Sequence, residues 1–270
     1  MLSADDEVLY FSRHKHPRNL GSANAADIWI RNRMPDGSWG RPLNAGSPIN
    51  SPATDILLGS SVDGRQLAVL RKGATSYLDI LIKGDRSWQI SGSWSVPDFI
   101  SATFDLEARK LVFSQLVAGQ TTDLFTQYAL PNGGWSDAVP LLVNTTGNES
   151  QPYLAADGQS FYFKRNGGWM LSRFDSVRKD FVSAVSLQKD LPSSWREITI
   201  SVIRPDRVIA TTTTALSSGV LSQYNLPIAG RPLDSKLIDG KINVAQSPQD
   251  RFNGTSIRLT VGGRERNVYP

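Results

Sequence analysis

The sequence predicts an all-β chain, a β-propeller of about five four-stranded blades with room for a sixth, and three observations carry that expectation. A short apolar run recurs, each run sits in a hairpin, and no stretch carries a 3.6-residue apolar period. The runs are Leu9-Tyr10-Phe11-Ser12, Leu67-Ala68-Val69-Leu70, Leu111-Val112-Phe113-Ser114, Phe161-Tyr162-Phe163-Lys164 and Val208-Ile209-Ala210-Thr211. Their third positions are separated by 58, 44, 50 and 47 residues. One four-stranded sheet cannot bury both its faces, so a repeat of this size points to sheets packed face to face around a channel.

The elements of the unit follow in order. Four runs are preceded by a strand-like segment and a turn: Ile56-Leu57-Leu58 with Asp63-Gly64, Ile100–Phe104 with Glu107-Ala108, Tyr153-Leu154 with Asp157-Gly158, and Ile198-Thr199-Ile200 with Pro205-Asp206. Each pair reads as a β-hairpin. A third strand follows in every unit, at Asp27–Ile30, Leu78–Ile82, Asp123–Phe125, Trp169–Leu171 and Val220–Tyr224. A turn bearing a tryptophan then leads to a fourth strand in three units, with Trp39, Trp88 and Trp135 at matching places. Asp36-Gly37 and Asn132-Gly133 supply the positive φ such turns need, and the indole covers the blade edge.

Composition narrows the function classes. The chain has 270 residues, 40% hydrophobic and 20% charged, with a net charge of +4 and a pI near 9.4. The basic residues are scattered without a run of like charge, which argues against a nucleic-acid partner. With no cysteine, disulfides and thiolate metal sites are excluded. No apolar run reaches the ~18 residues of a membrane span, and the first residues lack the pattern of a signal peptide.

At Val8–Arg13, Ala26–Ile30, Asp36–Asn44 and Pro48–Pro52 the chain resembles the TolB-like, WD-like propeller repeats of bacterial envelope proteins. The resemblance covers roughly residues 6–226, strongest in the first unit and in residues 148–164. It implies a non-catalytic binding or scaffolding module, periplasmic or associated with the outer membrane, whose partner is another envelope protein or a glycan. Residues 1–228 are expected to form the propeller and 229–270 a linker and a partial β-sandwich-like extension, because Leu237–Ile242 is similar to the start of the small sandwich that follows such propellers in OmpA-family proteins. No OmpA-like peptidoglycan-binding domain is recognisable. The short acidic start and the truncated tail are read as signs of a fragment.

One acidic residue stands at or just before the first strand of four units: Asp55, Asp98, Glu149 and Glu197. In a propeller they are expected around one mouth of the channel, where hard oxygen ligands suit Ca²⁺ or a cationic group of a partner. The competing reading is structural, with each carboxylate accepting hydrogen bonds from nearby loop backbone. A different class, a glycoside hydrolase or lyase on a five-bladed propeller, would draw an acid and a second carboxylate from the same ring. The two histidines, His14 and His16, lie in a basic loop without a third ligand close in sequence, so a metal site and a Ser-His-Asp hydrolase are both poorly supported. Trp39, Trp88 and Trp135 read as packing residues, while Trp169 and Trp195 break the pattern and are candidate binding-face aromatics. Arg13, Arg71, Lys72, Lys164 and Arg165 follow the second strands and form a candidate electropositive patch.

Overall fold

In the computed structural model, residues 1–187 are described apart from 2, 4–6, 22–24, 62, 86, 118–120 and 156–157, and beyond residue 187 the description is of backbone strands alone. Among the described residues the chain alternates strands and turns. Three strands, β1 (Val8–His14), β2 (Ala26–Asn32) and β3 (Leu43–Asn44), make the first sheet. The second is β4 (Thr54–Ser60), β5 (Gln66–Lys72), β6 (Tyr77–Lys83) and β7 (Trp88–Ser95). The third is β8 (Ser101–Asp105), β9 (Lys110–Val117), β10 (Thr121–Tyr128) and β11 (Val139–Pro140). The fourth is β12 (Glu149–Leu154), β13 (Ser160–Arg165), β14 (Gly168–Asp175) and β15 (Asp180–Ser186). Each is an antiparallel meander in chain order, as the hairpin spacing predicts.

A further four-stranded sheet follows, β16 (Ile198–Arg204), β17 (Arg207–Thr213), β18 (Gly219–Asn225) and β19 (Lys241–Asn243). Its outer strand is drawn from beyond residue 228, and β18 pairs with it through Val220↔Asn243. The last sheet has three strands, β20 (Ala245–Gln246), β21 (Thr255–Val261) and β22 (Arg264–Val268).

The structure is thus a propeller with four-stranded blades, and four sheets reach that size, which corrects the expected five or six. The first sheet has three strands among the described residues. Before β1, Tyr10 N–H donates to the Met1 carbonyl and Ser3 N–H to the Val8 carbonyl, each at 2.8 Å.

The core lies between the blades. In β5, Leu67 and Val69 pack with Tyr10, Ile28 and Leu81 toward the first sheet. Their neighbours Ala68 and Leu70 pack with Leu78, Phe104, Leu111 and Phe113 toward the third. In β9 the next residue, Val112, turns to Leu124, Leu154, Phe161 and Phe163 of the third and fourth sheets. Successive side chains in a strand point to opposite faces, so a strand buried on both faces reads as a continuous apolar run rather than an alternating one. That is the physical origin of the repeat seen in the sequence.

Tryptophans lock the outer edges. In the third blade, Gly133 at φ 85° closes the turn, and Trp135 donates from Nε1 to the Ser95 carbonyl of β7 at 2.7 Å. Trp94 of β7 reaches the other way, to the Leu130 carbonyl. The first sheet repeats the turn, with Gly37 at φ 80° and Arg33 bridged to Trp39.

Candidate functional site

The segments that cross from one blade to the next carry a motif twice, Asn50-Ser51-Pro52-Ala53-Thr54-Asp55 and Asn144-Thr145-Thr146-Gly147-Asn148-Glu149. The asparagine clamps a strand of the blade just left, β2 for Asn50 and β10 for Asn144. Asn50 accepts from Ile28 N–H and donates to the Ile28 carbonyl, each at 2.8 Å. Asn144 does the same to Leu124, accepting at 2.9 Å and donating at 2.8 Å. One primary amide with a donor and an acceptor satisfies the two groups a backbone edge leaves open.

The acidic residue five positions on opens the next blade. Asp55 is fully buried and accepts from Ser51 N–H at 2.7 Å, from Ser51 Oγ at 3.0 Å and from Arg71 at 2.7 Å. Asp55 and Arg71 are direct cross-strand partners, so the pairing is set by register. Arg71 also donates to Asp79 and to the carbonyls of Pro48 and Ile49 in the crossing segment. Burial pushes the Asp55 carboxyl up, against the downward pull of Ser51 and Arg71. The guanidinium therefore joins strand, neighbouring strand and crossover at one point.

Glu149 repeats the device in the fourth blade. It is fully buried, opposite Arg165 in register, and accepts from Arg165 Nε and from Thr145 Oγ1, each at 2.7 Å. Arg165 continues to the Val143 carbonyl of the crossing segment. The arrangement leaves Glu149 Oε2 buried without a hydrogen-bond partner. Nearby Asp123 is pushed up from the ordinary carboxylate range by burial and then by the charge of Glu149.

Between these two blades the device changes chemistry. The third blade begins with Ser101 opposite Ser114, their hydroxyls 2.7 Å apart, and Gln151 N–H donates to Ser101 Oγ at 2.9 Å. Asp98 lies upstream of that strand on an exposed loop. Of the four carboxylates singled out from sequence, two thus occupy equivalent buried positions, Asp98 is set apart, and Glu197 lies outside the described residues.

Trp169 is 3% exposed, with the Lys164 ammonium 5.3 Å from its ring, so it is a packing position; Trp195 lies outside the described residues. Of the basic strand ends, Arg71 and Arg165 are spent on carboxylates and Arg13 stacks 4.7 Å over Trp29. His16 packs edge-on against Trp29 at 4.5 Å and accepts from Arg18 N–H through Nδ1. Among the described residues no group of three or more metal-ligating side chains converges. A cleft of about 570 Å³ opens beside the first crossover, lined by Leu20, Pro48, Asn50, Pro52, Arg71 and Ile90.

Sequence reasoning missed that the arginines belong to the carboxylates. The signal was present as a repeated interval, since Asp55 to Arg71 and Glu149 to Arg165 both span 16 residues. No helix among the described residues is long and apolar enough to cross a membrane.

No family model and no curated protein matches the sequence. Solved structures similar in shape are TolB from Acinetobacter baumannii, at a TM-score of 0.54 and 10% identity over 98% of this chain, and a putative 6-phosphogluconolactonase from Bacteroides fragilis, at 0.47 and 9% over 99%. The periplasmic gluconolactonase PpgL of Pseudomonas aeruginosa follows at 0.40 and 12% over 97%. The alignments cover 64%, 96% and 81% of those chains, so this chain spans somewhat under two thirds of TolB. With the blade order and the inter-blade cores described above, the fold is that of a TolB-like β-propeller.

Proposed function

We propose that the chain is a non-catalytic binding propeller of the bacterial envelope, periplasmic or outer-membrane-associated, which presents its loops and blade edges to another protein or to a glycan. The observation that carries this reading is the commitment of the buried carboxylates. Asp55 and Glu149, from which a channel-mouth catalytic pair would be drawn, are each engaged by an arginine and a hydroxyl residue that tie down a crossing segment. A carboxylate held in this way stabilises the ring and is poorly placed to protonate a leaving group.

One observation favours a second reading. Glu149 Oε2 has no partner and Asp123 is raised beside it, which is the environment of a general acid in a glycoside hydrolase or lyase. The same pair is where a Ca²⁺ ion would sit if the chain takes one.

Affinity capture from a bacterial envelope extract, run beside a reducing-sugar assay on envelope glycans, tests the assignment. Saturable capture of one protein or glycan without sugar release supports the binding reading. Sugar release by the wild type that Asp123→Asn abolishes would replace it with the hydrolase, and a Tm raised by Ca²⁺ in the wild type alone would place the ion at Asp123.

A further inference from the structure

The first blade carries an excess of positive charge that the binding reading does not use. Strand register aligns Arg13 opposite Asp27 and Leu9 opposite Arg31, so Arg13, Trp29 and Arg31 share one face of the sheet. The other face, with Tyr10 and Ile28, packs on the second blade, so the arginine face looks away from it.

Trp29 is fully buried at the middle of this face. The guanidinium carbons of Arg13 and Arg18 stand 4.7 and 5.2 Å from its ring centroid. Arg31, two residues along the strand, is only 7% exposed. Among the described residues Arg31 forms no ion pair. Burial and then the charge of Arg13 disfavour its ionised form.

Asp27 does not resolve the imbalance. One of its oxygens is taken by Leu20 N–H and the Asn44 amide, and the other has no partner. Among the described residues of this face, three guanidinium groups stand against one carboxylate, and the Arg31 side chain is mostly out of water. Such a group is costly to hold unless an anion supplies the missing charge and acceptors. Guanidinium forks match tetrahedral oxyanions bidentately and remain charged at any physiological pH.

We propose that Arg13, Arg18 and Arg31 form a binding site for a small phosphoryl-bearing anion on the face of the first blade turned away from the second. The dianion matches the local excess of charge better than a monovalent carboxylate. The low exposure of Arg31 suits a small phosphate or phosphate monoester that can enter between side chains, and not a flat lipid surface. The site stands independently of the partner reading above.

Thermal unfolding of the full chain in sodium phosphate, sodium acetate and sodium chloride at equal ionic strength and pH 7.5 tests it. Phosphate is expected to raise Tm by at least about 2 °C over chloride, with a smaller effect of acetate. Arg31→Met, which keeps the length and apolar stem, is expected to raise Tm in chloride and to lose the phosphate increment. Arg18→Gln, at an exposed position, is expected to reduce the increment while leaving Tm in chloride unchanged. Equal Tm in all three salts for the wild type, or an undiminished phosphate increment in Arg31→Met, overturns the site. Flotation with phosphatidylglycerol vesicles that Arg31→Met abolishes, without any effect of inorganic phosphate, overturns the small-ligand assignment in favour of a lipid headgroup.

Discussion

Arg71 shows what a single residue does in this molecule. Its guanidinium bonds Asp55, Asp79 and two crossover carbonyls, all nearly out of water. Removing one partner of such a network exposes the others to an uncompensated burial, which costs about 3–5 kcal/mol, whereas removing a hydroxyl from a neutral pair costs about 1 kcal/mol. Asp55→Ala is therefore expected to lower unfolding stability by about 3 kcal/mol, and Ser101→Ala at the start of the third blade by about 1 kcal/mol. Urea titration monitored by tryptophan fluorescence separates them. His16 supplies a pH-dependent term. Burial and then Arg13 and Arg18 hold its pKa below 6.5, against a smaller upward pull from Asp27. The folded state binds this proton less readily than the unfolded chain, so the stabilising contribution is present above pH 6.5 and declines as pH falls toward the folded-state value. An NMR titration of the imidazole should give a midpoint below 6.5, and His16→Phe should flatten this part of the stability profile.

At the scale of elements, the blades were legible because their second strands are buried on both faces. Leu67–Leu70 and Leu111–Phe113 fill two inter-blade layers each, and only apolar residues serve at every position. The carboxylate ring was less legible, since spacing from a turn does not fix register. Asp98 lies 9 residues before Glu107 and looked equivalent to Asp55, yet the register of the third blade begins at Ser101. A one-residue offset moves a side chain to the other face, and a further offset moves it off the strand. The arginine partners read from sequence as a surface patch because their pairing is cross-strand and appears only once register is known. Gly59 tests the close approach of neighbouring inner strands: a Cβ there would meet the Phe104 carbonyl at 2.2 Å. Gly59→Val should destabilise by about 1–3 kcal/mol through forced separation of the second and third blades. A variant as stable as the wild type in thermal unfolding would show that the two strands do not approach in this way.

Over the whole molecule, the blades are alike in meander and core but not in how their crossings are fastened. The crossings into the second and fourth blades use an asparagine clamp, a buried acid and an arginine. The crossing into the third ends at a serine pair. On this account the ring is held at its crossovers by charge-assisted bonds and between its blades by apolar layers, which leaves the loops free to bind. Blade number was overestimated because an apolar period counts units and not the strands each unit contributes, and the first sheet has three. A double-mutant cycle on Glu149→Gln and Arg165→Met, measured by urea unfolding, tests the account most directly. It predicts a favourable coupling energy above about 1 kcal/mol between the two positions, as for residues sharing one buried network. A coupling near zero, with both single variants as stable as the wild type, would contradict the structural role of the pair and return Glu149 to the candidates for a binding or catalytic carboxylate.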